Sequence, residues 1–197
     1  MQPHDPTILP ENLPEPADDG ACRHLKGLVV PSYGLLATDG TTVDLAAPLP
    51  VSGPERTVVY AYPRTGRPGV ALPTGWDAIP GARGCTPESC AFRDHHAAVV
   101  ARRARVFGLS TQTTDYQREM VGRLHLPFAV LSDAQMCLTR ALRLPTFAVD
   151  GMTLIRRLTL VISGGRIEHV FYPIFPPDRH AADVVAWLDA HPMGSAE

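Results

Sequence analysis

The sequence lacks long apolar runs and an excess of charge of either sign. No apolar stretch approaches the roughly 20 residues that a membrane-spanning helix needs, and 18 basic and 20 acidic residues give a formal net charge of −2. Such a balance offers no electrostatic attraction to nucleic acid or to anionic membranes. The first residues also lack the basic-then-apolar order of a secretory signal. We therefore expect a cytoplasmic protein that binds neither nucleic acid nor membrane.

Cysteine is also scarce. The four cysteines among 197 residues are Cys22, Cys85, Cys90 and Cys137. They are too few for a disulfide-stapled scaffold, so a reducing compartment is expected. A C-x-x-C pair is absent, as are the two close cysteine pairs that are typical of structural zinc sites. Two neighbouring histidines of a predicted helix would not share a face. The sequence therefore predicts no metal site and no cofactor.

The composition is that of one globular domain, with 45% hydrophobic and 19% charged residues. Residues 1–24 are rich in proline and acids, which predicts a flexible N-terminal tail. Residues 25–192 would form the domain, and 193–197 a C-terminal tail. Cys22, at the edge of the first tail, is expected to be an incidental exposed thiol. Cys137, on a predicted helix, is expected to be a buried structural cysteine.

Strands and helices alternate along most of the domain. A small hairpin is predicted within residues 28–45, followed by a buried strand at 57–62. Alternating helices and strands then predict parallel pairing, and a second hairpin and a last helix complete the chain. This order predicts an α/β, thioredoxin-like fold with a central mixed sheet flanked by helices. The later elements are helices at 86–104, 115–124, 134–142 and 178–190 and strands at 105–110, 128–131, 158–162 and 167–171.

A long connection separates the first buried strand from the first helix. Residues 63–84 contain many prolines and glycines, which exclude a regular element. A connection of this length inside a compact domain is usually functional or disordered. Trp76 and Ile79 are expected to pin it as a packed loop beside Cys85.

Cys85 is predicted to lie at the start of a helix. Thr86 could act as N-cap, Pro87 suits the first helical position, and Glu88 is an acid in the first turn. The positive end of the helix would favour a nucleophilic thiolate. Cys90 follows five residues later. On an intact helix, such residues are separated by about 7.5 Å along the axis and about 140° around it. A disulfide between them would therefore require local unwinding.

Several segments together resemble the peroxiredoxin family, most closely its peroxiredoxin Q (bacterioferritin comigratory protein) branch. The signature is Tyr62-Pro63 followed by Gly-Cys-Thr-Pro-Glu-Ser-Cys-Ala-Phe-Arg-Asp at 84–94. Further similarity lies in Leu-Ser-Asp at 131–133, and in residues 157–162 and 165–171. The resemblance spans roughly residues 28–188 in the family's order. It implies a thiol-dependent peroxidase for hydrogen peroxide or small organic hydroperoxides.

The resemblance also implies residue roles. Cys85 would be the peroxidatic cysteine that becomes a sulfenic acid, and Cys90 would resolve it as an intramolecular disulfide. Thioredoxin or a similar dithiol would reduce that disulfide. Arg157 would stabilise the thiolate and the peroxide, with Arg156 as the alternative if the alignment shifts by one residue. Adjacent strand residues face opposite sides, so only one arginine can face Cys85.

Substrate binding departs from the family pattern. The resemblance implies contributions from Glu88 and Thr86, but the family's threonine or serine three residues before the peroxidatic cysteine is Ala82 here. The preceding segment is also longer than the family's, which makes it an insertion. Thr65, Thr74 or Thr86 could supply the hydroxyl.

Two alternatives remain open from the residues. One is a redox sensor or partner-binding protein with little turnover, and the other is a one-cysteine peroxidase. A monomer and a homodimer are both compatible with the sequence.

Overall fold

The computed structural model describes residues 8–193. The predicted tails, 1–24 and 193–197, therefore lie partly outside the described residues. The strands are β1 Gly34–Ala37, β2 Thr42–Asp44, β3 Arg56–Ala61, β4 Ala104–Ser110, β5 Val130–Ser132, β6 Thr146–Val149, β7 Met152–Ile155, β8 Leu158–Ser163 and β9 Arg166–Phe171. The helices are α1 Cys85–Asp94, α2 His96–Ala101, α3 Thr114–Leu124, α4 Cys137–Leu142 and α5 His180–Ala190, with a 3-10 turn at Trp76–Ala78.

Within residues 8–193, seven strands form a mixed sheet in the order β2-β1-β5-β4-β3-β8-β9. β3 is buried along its whole length, runs parallel to β4 and antiparallel to β8. Its side chains alternate between two apolar clusters, with Val59 on one face and Val58 and Tyr60 on the other. The second face also contains Cys85 and Phe92 of α1. The predicted mixed sheet, flanking helices and N-terminal hairpin are confirmed.

The first helix differs from its prediction at 86–104. The helix begins at Cys85 and is interrupted at His95, and α2 ends at Ala101. Arg103 adopts a left-handed conformation (φ +54°) that ends the helical path, and Ala104 already belongs to β4. The N-cap of α1 is Gly84 and not Thr86, so helical geometry starts two residues earlier than the cap pattern indicated.

The long connection and a hairpin that the sequence analysis missed pack against each other. The hairpin is β6–β7, which pairs antiparallel apart from the main sheet. Trp76 and Ala82 of the connection form a small apolar cluster with Val149 and Leu154 of the hairpin, and Ile79 packs against it. The expected anchoring of the connection by Trp76 and Ile79 is therefore confirmed.

Two cysteine predictions are wrong. Cys22 is buried, at 6% exposure, because the turn that contains it packs Leu25 into the core. That burial raises the pKa of the Cys22 thiol to about 12. Cys137 is only half-buried, because α4 starts at Cys137 and its inward-facing positions are Leu138 and Leu142.

The described part of the predicted N-terminal tail makes specific contacts. Asp19 accepts a hydrogen bond from the Tyr172 hydroxyl at 2.9 Å and forms an ion pair with Arg156 at 3.4 Å. The domain boundary at residue 25 stays a prediction.

Candidate active site

Cys85 is the first residue of α1, so its thiol lies at the positive end of the helix dipole. Gly84 provides the entry into the helix with φ +94°, a conformation that side-chain-bearing residues rarely adopt. A Cβ at Gly84 would overlap the ring of Pro177. The segment before α5 therefore packs directly against the backbone that positions Cys85.

A buried arginine faces the Cys85 sulfur. Arg157 donates a hydrogen bond from Nη2 to Cys85 Sγ at 3.1 Å and a second one to the Arg83 carbonyl at 2.9 Å. Its Nη1 contacts the Glu88 carboxylate. Arg157 is 4% exposed and Glu88 is fully buried. The guanidinium is thus held between the sulfur and a carboxylate, away from solvent.

The neighbouring Arg156 points elsewhere. Its side chain is 43% exposed and pairs with Asp19. The expectation that only one of the two arginines faces Cys85 agrees with this geometry, and that arginine is Arg157.

Opposing effects act on the ionisation of this group of residues. Burial raises the pKa of the Cys85 thiol, whereas the Arg157 guanidinium and a hydrogen bond from the Arg64 backbone N–H favour the thiolate. Burial likewise raises the pKa of Glu88 to about 7, and Arg157 acts against that increase. Since both acids are buried at one guanidinium, Arg157 is the charge that allows either of them to ionise.

The position of the missing family hydroxyl is part of an apolar cluster. Ala82 is fully buried, and its carbonyl accepts a weak hydrogen bond from Cys85 Sγ at 3.5 Å. Thr65 is buried but donates its hydroxyl to Gln112 at 3.3 Å. Thr74 is exposed and binds Asp150 through its backbone N–H. Thr86 is buried as the second residue of α1.

Cys90 lies in the same helix as Cys85 and is half-buried. Burial raises the pKa of the Cys90 thiol, and the Arg93 guanidinium lowers it. With α1 intact, the spacing keeps the two sulfurs too far apart for a disulfide. The five sequence-predicted site residues therefore divide into a buried group around Cys85 and a separate Cys90.

Sequence reasoning missed two residues near this site. The Arg64 backbone N–H lowers the pKa of the Cys85 thiol, and the signal for it was its place directly after Tyr62-Pro63. His180 is buried at the start of α5, shares a 2.8 Å hydrogen bond with Thr159 Oγ1, and packs against the ring of Phe92. Burial lowers the pKa of His180 to about 3, with a further contribution from Arg157. No local sequence pattern marks this histidine.

Curated relatives are similar to this chain over most of its length. A chloroplastic peroxiredoxin Q of Gentiana triflora is 27% identical over 187 residues, which cover 92% of this chain and 76% of that protein. Peroxiredoxin bcp1 of Schizosaccharomyces pombe is 29% identical over 133 residues, which cover 64% of this chain and 59% of that protein.

Solved structures agree with the fold. Peroxidoxin BcpB of Mycobacterium tuberculosis superimposes with a TM-score of 0.65 at 26% identity, covering 85% of this chain and 99% of that one. Peroxiredoxin Q of Xanthomonas campestris superimposes with a TM-score of 0.62 at 22% identity, covering 82% of this chain and 92% of that one. The model of the Redoxin family matches residues 25–186, well over half of the chain. The chain therefore belongs to the Redoxin family, and within it to the peroxiredoxins of the Q type, which are thiol-dependent peroxidases.

Proposed function

We propose that Cys85 is the peroxidatic residue of this enzyme and reduces hydrogen peroxide or small organic hydroperoxides. The Cys85 thiolate attacks the terminal oxygen of the O–O bond. The S–O bond forms as the O–O bond breaks, sulfur is oxidised to the sulfenic acid, and the leaving oxygen departs with a proton as water or an alcohol. The observation that carries the proposal is the 3.1 Å contact between Arg157 Nη2 and Cys85 Sγ.

Arg157 has two tasks in this step. It stabilises the thiolate before the attack, and it can stabilise the negative charge that develops on the peroxide oxygens. Glu88 holds the guanidinium from its other side and so acts as a positioning residue. Thr86 is proposed to line the substrate path at the first turn of α1.

Cys90 is proposed to resolve the sulfenic acid. Its thiolate would attack the Cys85 sulfur, form the S–S bond and release water once α1 has unwound. A thioredoxin-like dithiol would then return the disulfide to two thiols and itself become oxidised. Support comes from the half-buried position of Cys90 and from the neighbouring Arg93, which favours its thiolate.

The test is peroxide-dependent oxidation of a thioredoxin system in the presence of Cys85→Ser. Turnover should disappear in this variant and persist in Cys137→Ser, which removes a half-buried thiol outside the site. Undiminished turnover in Cys85→Ser would refute the assignment. Mass spectrometry of peroxide-treated wild-type protein should show a Cys85–Cys90 disulfide, whereas a reduced Cys90 would indicate a one-cysteine cycle.

A redox sensor with little turnover is the second candidate, and Ala82 is the observation that favours it. This position carries no hydroxyl for the peroxide and is fully buried. Slow oxidation of Cys85 by peroxide, together with a stable mixed disulfide to a partner protein, would favour the sensor over the peroxidase.

Location and assembly are also proposals. The described residues include no helix that is long and apolar enough to cross a membrane. We place the enzyme in the cytoplasm, as a monomer or a homodimer. Light scattering after size-exclusion chromatography would distinguish the two assemblies, and fractionation of the source cells would test the location.

A further inference from the structure

A cavity lies beside the β6–β7 hairpin, and Cys85 is not one of its lining residues. Its volume is about 440 Å³, which is within the range of small-molecule sites. Besides three threonines and an alanine, its lining contains three larger apolar side chains and three larger polar ones. They are Met136, Met152 and Leu154, and Arg64, Gln112 and Tyr116.

Arg64 is the charged residue of this lining. Its half-buried guanidinium donates to the Tyr116 hydroxyl at 3.3 Å and to the Met152 sulfur at 3.5 Å, and it lies 4.8 Å from the centre of the Tyr116 ring. Within residues 8–193, no carboxylate forms an ion pair with Arg64. A phenol and a thioether are weak acceptors for a guanidinium, which is best matched by a carboxylate or a phosphate.

Gln112 also belongs to this lining. It is 6% exposed, and its Oε1 accepts hydrogen bonds from the backbone N–H and the hydroxyl of Thr65. These bonds fix the orientation of the amide, because both donors require the oxygen at that end. Among the described residues, Gln112 Nε2 has no hydrogen-bond partner. This nitrogen is also buried away from solvent, so Arg64 is the donor that the cavity presents to an anion.

We propose that this cavity binds a carboxylate that has an apolar body. The Arg64 guanidinium binds the carboxylate oxygens, and Met136, Met152 and Leu154 contact the apolar part. Methionine side chains adapt to ligands of varied shape, and the lining contains no acid that would repel the anion. The proposal requires no step of the peroxidase reaction.

Isothermal titration of the reduced protein with sodium octanoate, in the absence of peroxide, tests this site. We expect octanoate to bind at least about tenfold more tightly than 1-octanol, because charge-assisted hydrogen bonds are lost with the alcohol. Arg64→Gln should weaken octanoate binding by about tenfold or more for the same reason. Gln112→Glu keeps an acceptor for Thr65 and adds a negative charge to the lining, so it should also weaken binding of the anion.

Arg67→Gln is the matched control. Arg67 packs on the same Tyr116 ring, at 4.1 Å, but it does not line the cavity, so octanoate binding should be unchanged. Circular dichroism would confirm that each variant is folded. Equal affinity for octanoate and octanol, no heat of binding, or an unchanged affinity in folded Arg64→Gln would overturn the proposal. Cys85→Ser should still bind octanoate, which separates this test from that of the peroxidase.

Discussion

Glu88 and His180 should have opposite effects on how the stability of the fold depends on pH. Burial raises the pKa of Glu88 from 4.5 to about 7, so the folded state holds this proton more tightly than the unfolded chain. The stability from that proton is fully present below pH 4.5 and is lost as pH rises to about 7. Burial lowers the pKa of His180 from 6.5 to about 3. The stability from neutral His180 is present above pH 6.5 and is lost as pH falls to about 3.

Each group alone changes the free energy of unfolding by about 1.4 kcal/mol per pH unit within its interval. Between pH 4.5 and 6.5 both groups are in their intervals, and their slopes have opposite signs and cancel. Glu88→Gln removes the contribution to stability that falls as pH rises, and it leaves the contribution of His180, which rises with pH. We therefore expect the difference between Glu88→Gln and the wild type to rise by about 1.4 kcal/mol per pH unit across this window.

Urea unfolding of the reduced protein at half-unit steps from pH 4.5 to 6.5 measures this difference. Exposed acids contribute equally to both proteins, so their titration cancels in the comparison. Glu11→Gln makes the same substitution at an exposed position and is the control. Its plot of unfolding free energy against pH should run parallel to that of the wild type. If the curves of Glu88→Gln and the wild type are also parallel, within about 0.5 kcal/mol of extrapolation error, the reasoning about Glu88 is refuted.

Two further substitutions test the walls of the site by thermal unfolding and peroxidase turnover. Gly84→Ala should destabilise the fold by at least about 1–2 kcal/mol, because it places a Cβ at positive φ against Pro177; an unchanged Tm would contradict that packing. Ala82→Thr should cost about 1–3 kcal/mol by overpacking the fully buried position, while it returns a hydroxyl to the place where the family has one. If Ala82→Thr reduces peroxide faster than the wild type despite its lower Tm, the missing hydroxyl limits catalysis in the wild type. If Ala82→Thr is as stable as the wild type, the expected overpacking is contradicted.

The alternation of strands and helices, and the place of Cys85, could be predicted because they depend on local patterns. Val58 and Val59 belong to a continuous apolar run, as is typical of a strand buried on both faces. Asp133 directly precedes the helix that the sequence predicts at 134–142, and its carboxylate accepts hydrogen bonds from the backbone N–H groups of Leu138 and Thr139. Helix α4 nevertheless begins only at Cys137, later than predicted. The reason is that the Asp133 carboxylate binds backbone N–H groups five and six residues further along the chain.

The β6–β7 hairpin was predictable but was missed. Asp150-Gly151 stands between two apolar runs, and both residues adopt positive φ, as a tight hairpin turn requires. His180 and the burial of Cys22 are different, because tertiary contacts alone produce them. Nothing within a few residues of His180 shows that Phe92 and Phe171 will enclose its ring.

The longer connection and the loss of the family hydroxyl at position 82 have the same structural cause. A connection of this length cannot stay ordered without apolar contacts of its own, and Trp76 provides them by packing on the β6–β7 hairpin. Ala82 belongs to that cluster and is fully buried. A hydroxyl there would need a hydrogen-bond partner within an apolar environment, and leaving it unpaired is costly. Alanine at this position therefore follows from anchoring the connection beside Cys85, and in the proposed mechanism the stabilisation of peroxide would rest more heavily on Arg157 than the family pattern implies.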